Sequence, residues 1–248
     1  SKQQLEPIPK WVNFLDGLLN RRIFEAPGKK IIKVSWWVNF GKIMPLFLFL
    51  FLMDYYDNYT TQAWVYTALH GVYGYCWLIK DFGFRDHTFE QKTSLLSALI
   101  FYMTLGLGYM TIGWLFISRH VEPSNFDLFF AICLHHLGVV LMMAADGQRY
   151  FTLKYKKGLF TGGVYKYTRN PNYLGEIMLY CAYAYLADHW IAWAVIVVQT
   201  FGMFLPRMYL KDRAISRHPE WAEYKARSGL LIPWGLLNGR ALKELFQK

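Results

Sequence analysis

The sequence predicts an all-α membrane protein: a polytopic helical bundle of about six transmembrane helices, with an N-terminal amphipathic helix in the membrane interface and a C-terminal helix on the membrane surface. Three observations carry this expectation. Hydrophobic residues make up 54% of the 248 residues and aromatics 19%, against 18% charged, where a soluble domain carries about 25% charged residues. Six apolar stretches run approximately over 34–53, 62–79, 94–117, 126–145, 173–187 and 189–205, and a helix needs about 17 to 25 residues to cross a hydrocarbon core. When the connections are assigned alternately to two sides, one side collects 25 of the 27 lysines and arginines. The other side receives only Arg119, and Lys42 lies inside the first stretch. The positive-inside rule then expects both termini on the cytoplasmic or matrix side, in the endoplasmic reticulum or the mitochondrial inner membrane.

In chain order, residues 1–33 hold one short amphipathic segment. Trp11, Phe14, Leu15, Leu18 and Leu19 share a helical face, with Asn13, Asp16, Asn20 and Arg21 elsewhere, the pattern of a helix lying in the interface. Residues 34–145 form a four-span half, whose first stretch contains Lys42 and Pro45 and is expected to be kinked or interfacial at its inner end. Residues 146–248 carry a basic loop, two short spans close-coupled through Asp188-His189, and a terminal section. There, 207–217 reads as a helix continuing out of the membrane, His218-Pro219 breaks it, the helix resumes to Arg227, and Ser228-Gly229 stops it. No repeat of fixed period divides the chain.

Several function classes recede. The formal charge of +10 would suit nucleic acid, but these charges lie between apolar runs rather than on a water-soluble scaffold, so membrane lipids are the expected partners. Cys76, Cys133 and Cys181 all fall in apolar segments and give neither a disulfide framework nor metal-ligand spacing. Gly106 and Gly108, like Gly162 and Gly163, follow no strand and support no dinucleotide fingerprint. The first 33 residues show no apolar core of a cleavable signal.

The stretch from Gly163 to Ala187 carries the chemistry. Asn170-Pro171 is a helix-start signal, with the proline at the first helical position and the asparagine placed to cap free N–H groups. Asn172, Glu176, Tyr180 and Tyr183 then share one face. A carboxylic acid inside an apolar helix points to an interior functional site. Arg149, Lys154, Lys156, Lys157, Lys166 and Arg169 precede this helix, whose N-terminus favours an anion: a phosphate-bearing cofactor, or the anionic lipid surface. Tyr209, Arg213 and Arg217 share a face that suits a nucleotide phosphate or lipid headgroups. Among the intramembrane histidines, haem would need His70 at the depth of His135 or His136; hydrogen-bonded polar residues in a bundle are the commoner case.

Tyr167-Thr168-Arg169-Asn170-Pro171-Asn172-Tyr173-Leu174-Gly175-Glu176-Ile177, with 207–211, Trp221-Ala222-Glu223-Tyr224 and Leu231-Ile232-Pro233-Trp234, resembles the membrane-embedded steroid 5α-reductase C-terminal-like group. That group is related to sterol reductases and isoprenylcysteine carboxyl methyltransferases. The resemblance covers 146–234 and implies a bundle open to lipid that holds its cofactor near the basic face. It places Asp146, Asn172, Glu176, Tyr209 and Lys211 at NADPH-contacting positions; charge and spacing add Arg169, Arg213 and Arg217 as further cofactor-binding candidates. The reductases polarise a substrate carbonyl with a glutamate and a tyrosine from earlier spans. Here the first four stretches hold no acid, and Tyr73 or Tyr75 is the proton donor expected by position. Met142 and Phe201 stand where polar side chains are expected.

The resemblance implies an NADPH-dependent reductase of a carbon–carbon double bond in a sterol-like or isoprenoid lipid. Two alternatives stand beside it. One is an inactive, reductase-like, lipid-binding subunit of a larger membrane complex. The other is a methyltransferase using S-adenosylmethionine (SAM) on a lipid or prenylated thiol.

Overall fold

Proline at 9, 45 and 171, and Ser or Thr before three of the apolar runs, decide where the helices begin and bend. The structure, a computed structural model, describes residues 5–21 and 24–237; the outermost parts of the N-terminal and C-terminal segments lie outside the described residues. Helix α1 (Lys10–Leu15) follows Pro9 and continues as a π-helical turn over Asp16–Arg21. A two-residue antiparallel pairing, β1 (Ile32–Lys33) with β2 (Lys92–Thr93), ties the start of the first long helix to a distant loop. That helix is α2 (Val34–Tyr55), with Pro45 inside it. Helix α3 (Thr61–Phe84) is capped by the Thr60 hydroxyl, which accepts from the Ala63 N–H. Helix α4 (Leu95–Phe101), capped by Ser94, passes through a π-turn at Tyr102–Gly106 into α5 (Leu107–Ser118). A Ser124/Asp127 capping box starts α6 (Asn125–Tyr155), satisfying two orphan donors reciprocally.

Helix α7 (Pro171–Ala187) ends at Asp188, whose φ of 44° lets the chain reverse. Helix α8 (Trp190–Val197) runs through a π-helical segment, Val198–Phe204, into α9 (Leu205–Ile215). Two short helices follow, α10 (Trp221–Arg227) and α11 (Trp234–Leu237). The break after α9 and the stop at Ser228 fall where the sequence places them. The cap of α7 does not. Asn170 leaves the helix N–H groups alone: its amide donates to the Leu230 carbonyl at 2.8 Å and its oxygen accepts from Lys211 at 3.0 Å. The asparagine pins the C-terminal section to α7 instead.

The protein has a membrane helical fold. Among the described residues, three helical stretches are long and apolar enough to cross a bilayer, namely Val34–Tyr55, Asn125–Tyr155 and Trp190–Ile215; the pair Leu95–Thr104 and Leu107–Ser118, bent by 41°, makes a fourth if counted as one span. The expected spans missing from this set are α3 and α7. Both are central helices that meet protein on several sides. Tyr66, His70, Tyr73 and Lys80 of α3 are buried, as are Asn172, Glu176, Tyr180 and Tyr183 of α7. The buried face of such a helix can carry polar groups that a lipid-facing surface cannot, and α7, with 17 residues, is also short for a span.

Close backbone contacts hold these central helices in place. A Cβ on Gly175 would lie 2.4 Å from the Gly138 carbonyl oxygen and 2.7 Å from the Met142 nitrogen, so α6 and α7 touch main chain to main chain. A Cβ on Gly74 would lie 2.6 Å from the Lys42 carbonyl oxygen, which brings α3 equally close to α2.

The N-terminal helix turns its polar face toward the bundle. Val12, Asp16 and Asn20 form its buried face, while Trp11, Phe14 and Leu18 of the apolar stripe are exposed. Upstream, Glu6 accepts from the Trp221 indole at 2.9 Å and from Lys225 at 2.9 Å, and its N–H donates to the Ser216 hydroxyl at 3.0 Å.

Two outcomes follow from this packing. Gly175→Ala should lower stability by roughly 1–3 kcal/mol through overpacking, seen as a lower thermal midpoint in detergent. Gly83→Ala, with no atom within 4 Å of the added carbon, should be neutral or slightly stabilising; equal effects would contradict the close contact. The Trp221 indole and Lys225 hold the Glu6 carboxyl below the ordinary carboxylate range. The anchoring is therefore complete above the unfolded glutamate pKa of about 4.3 and is lost as pH falls through the lower folded value. Limited proteolysis near residue 6 should accelerate over that acid window in the wild type, and Glu6→Gln should be equally susceptible at neutral pH.

Candidate active site

A cavity of about 570 Å³ opens between the N-terminal segment, α2, the α4–α5 break, α7 and the α8–α9 π-segment, a size typical of small-molecule sites. Its floor is built around an ammonium group. Lys42 projects from the otherwise apolar α2 and donates to the Tyr73 hydroxyl at 2.9 Å and the Tyr180 hydroxyl at 2.9 Å. The two phenol oxygens are 3.0 Å apart, and the Tyr180 hydroxyl reaches a Glu176 carboxylate oxygen at 3.3 Å. The Lys42 nitrogen also lies 4.6 Å from the centre of the Trp77 ring, within cation–π range. Helix spacing produces this arrangement: Tyr73 and Trp77 are one turn apart on α3, and Glu176 and Tyr180 are one turn apart on α7. The close approach at Gly74 brings Lys42 to them.

The other end of the cavity is more polar. Lys80 pairs with Asp146 at 2.5 Å, both side chains being buried. Asp146 has one carboxylate oxygen and Asn172 its amide oxygen buried without a hydrogen-bond partner among the described residues. Arg149 pairs with Asp86 at 2.7 Å, and the Arg207 Nε donates to the Asn20 amide oxygen at 2.9 Å. Burial works to raise the Asp86 pKa, but the Thr88 N–H and Arg149 outweigh it and hold the carboxyl below its ordinary range. Asp86 is therefore ionised at neutral pH and keeps Arg149 turned toward the cavity. Two unsatisfied buried acceptors beside Arg149, Arg207 and Lys80 suit a ligand with amide or hydroxyl donors next to anionic groups.

The cofactor-binding residues expected from the resemblance divide into two groups. Asp146, Asn172 and Glu176 line the cavity. Arg169 and Lys211 do not; they join the C-terminal section to the α7 entry. Arg169 pairs with Asp212 at 2.9 Å and donates to the Ser228 carbonyl at 2.5 Å, while Lys211 donates to the Arg169 carbonyl at 2.7 Å. Tyr209 meets the edge of Trp11 with ring centres 5.4 Å apart, and Arg213 and Arg217 are exposed.

The tyrosines also separate. Tyr75 is 54% exposed on the outside of α3, and Tyr73 is buried in the floor cluster behind the cavity wall. Tyr180 is the phenol of that cluster that reaches the cavity. His70 and His135 bond Tyr109 at 2.8 Å and Tyr183 at 2.9 Å, and both pack on the Tyr183 ring. They act as cross-links between helices. Met142 is fully buried and Phe201 is 57% exposed; neither lines the cavity, whereas the polar Gln199 does.

Lys42, Lys80, Tyr180 and Arg207 were not singled out from sequence as site residues. For Lys42 the signal was present, as a charge inside an apolar run. For Tyr180 it was the shared helix face with Glu176.

Compared with curated proteins, the chain has no match. The family model described as 3-oxo-5-alpha-steroid 4-dehydrogenase matches residues 91–235, more than half of the chain. The matched region contains Asp146, Arg149, Asn172, Glu176, Tyr180 and Arg207 of the cavity, while Lys42, Tyr73 and Lys80 precede it. This integral membrane protein belongs to the 3-oxo-5-alpha-steroid 4-dehydrogenase family.

Proposed function

We propose that the protein is an NADPH-dependent reductase that saturates a carbon–carbon double bond in a sterol-like or isoprenoid lipid. The observation that carries this reading is the floor cluster, in which a cavity-facing phenol accepts hydrogen bonds within reach of a carboxylate. NADPH, when bound, supplies the hydride. Asp146 and Asn172 offer their unsatisfied oxygens to amide and hydroxyl groups, Glu176 closes the same wall, and Arg149 and Arg207 neutralise phosphate.

The proton comes from the chain itself. Tyr180 holds it on its hydroxyl, as donor toward Glu176. Lys42 and Tyr73 both donate to the Tyr180 oxygen, so the phenolate left after proton transfer is met by an ammonium and a hydroxyl already in place. Such preorganised donors favour the charge that develops in the transition state. Tyr73 is thus a positioning residue, and Lys42 supplies the positive charge that meets the phenolate. The hydride and the Tyr180 proton together balance the reduction of one double bond, and solvent restores the proton through the polar end of the cavity.

The same reading includes six spans, with α3 and α7 crossing inside the bundle. It places the basic face and both termini on the cytoplasmic or matrix side, in the endoplasmic reticulum or the mitochondrial inner membrane.

Isothermal titration calorimetry should detect NADPH binding, weakened about tenfold (about 1.4 kcal/mol) by Glu176→Gln and by Arg149→Ala. SAM should not compete. Displacement by SAM would favour the methyltransferase reading, and absence of any dinucleotide binding would favour the inactive subunit. In an assay with a reducible lipid, Tyr180→Phe should lower kcat about 10²- to 10⁴-fold with NADPH affinity changed only a few-fold. Tyr73→Phe should cost less, about tenfold, and Tyr75→Phe should stay within twofold.

A further inference from the structure

We propose that α1 and its π-turn form a membrane-seated lid: the inner, polar face walls the cavity, and the outer, apolar face is docked into the anionic lipid surface on the basic side. The amphipathicity of this segment runs opposite to that of a helix packed on a soluble core. Asp16 and Asn20, at i and i+4, are buried and line the cavity. Trp11, Phe14 and Leu18, at i, i+3 and i+7, are 41%, 68% and 40% exposed. A stripe of that kind needs an apolar occupant.

Three observations identify the occupant as lipid. The segment lies against a membrane-crossing helix: a Cβ on Gly202 would come 2.6 Å from the Leu19 side chain, and Val198 and Phe201 beside it are exposed apolar residues of the same span. The stripe therefore continues a lipid-facing surface. Lys10 at its N-terminal end is exposed, which complements anionic headgroups at about 1 kcal/mol for a basic residue near the surface, while Arg21 at the other end pairs with Asp16 at 2.9 Å. Trp11, an indole of the kind enriched at membrane interfaces, lies exposed on the same stripe.

The inner face has an unfilled capacity of its own. Asn20 accepts from Arg207 through its oxygen at 2.9 Å, while its buried amide nitrogen has no hydrogen-bond partner among the described residues. That N–H points to an acceptor on whatever occupies the cavity. Closure thus joins two contacts on opposite faces of one helix, and removing the lipid contact should open the cavity. The inference needs the cavity but not its cofactor, so it stands or falls separately from the reductase reading.

The test uses the full chain in nanodiscs, with Cys76, Cys133 and Cys181 replaced by Ser and Asn20→Cys as reporter. Labelling by a water-soluble maleimide should be at least tenfold slower in phosphatidylcholine/phosphatidylglycerol discs than in the same discs with Phe14→Asp and Leu18→Asp added. Hydrogen exchange in α6 and α7 should be unchanged, which separates lid opening from unfolding. Without those two substitutions, labelling should also be faster in discs of phosphatidylcholine alone. Equal rates in all three preparations would overturn the proposal. Protection that appears only with a co-purifying protein, and not in discs of the pure chain, would overturn the choice of lipid as occupant.

Discussion

An ammonium group placed in an apolar helix needs partners from other helices, and Lys42 draws them from two. Tyr73 and Trp77 come from α3, and Tyr180 and Glu176 come from α7. The cluster therefore fixes the relative rotation and depth of three helices, because a shift of one turn in any of them would leave the ammonium or the carboxylate unpaired. Such a loss costs far more than a surface ion pair is worth. The cavity is what remains above this floor once the three helices are set.

Small residues make the arrangement possible. Gly74 lets α3 reach the Lys42 carbonyl, and Gly138 and Gly175 let α6 and α7 meet backbone to backbone. The second contact holds Asp146 on α6 opposite Asn172 and Glu176 on α7. Without a strong hydrophobic force between helices in lipid, this kind of close packing and the internal hydrogen bonds are the forces available. The polar side chains of α3 and α7 accordingly turn inward, while apolar residues such as Leu137 and Val140 of α6 and Val197 of α8 face outward.

Much of this was legible in the sequence. The order of the helices, the break after α9 and the singular position of Glu176 follow from apolar runs, proline and charge. Three things were not. The cap role of Asn170 went to tertiary partners, Leu230 and Lys211, that local rules cannot see. Arg169 beside a helix start, Arg213 and Arg217 on one helix face, and Lys211 by resemblance all pointed to a cofactor, but only three-dimensional packing shows that none lines the cavity. Burial separates Tyr75 from Tyr73 and Tyr180, cavity lining separates Tyr180 from Tyr73, and Lys42 gains meaning only when its partners are known. In the N-terminal segment the periodicity identified the two faces correctly. Which one turned inward depended on a polar cavity that no local pattern encodes.

The central claim is that Asp146, Asn172 and Glu176 form one wall of a dinucleotide site whose floor is the Lys42–Tyr73–Tyr180 cluster. The most direct measurement is an experimental structure of the protein with NADPH. The account predicts dinucleotide density in the cavity, with the nicotinamide ring next to Asn172, Glu176 and the Tyr180 hydroxyl and the phosphates toward Arg149 and Arg207. Density bound elsewhere, or a lipid filling the cavity at saturating NADPH, would contradict it.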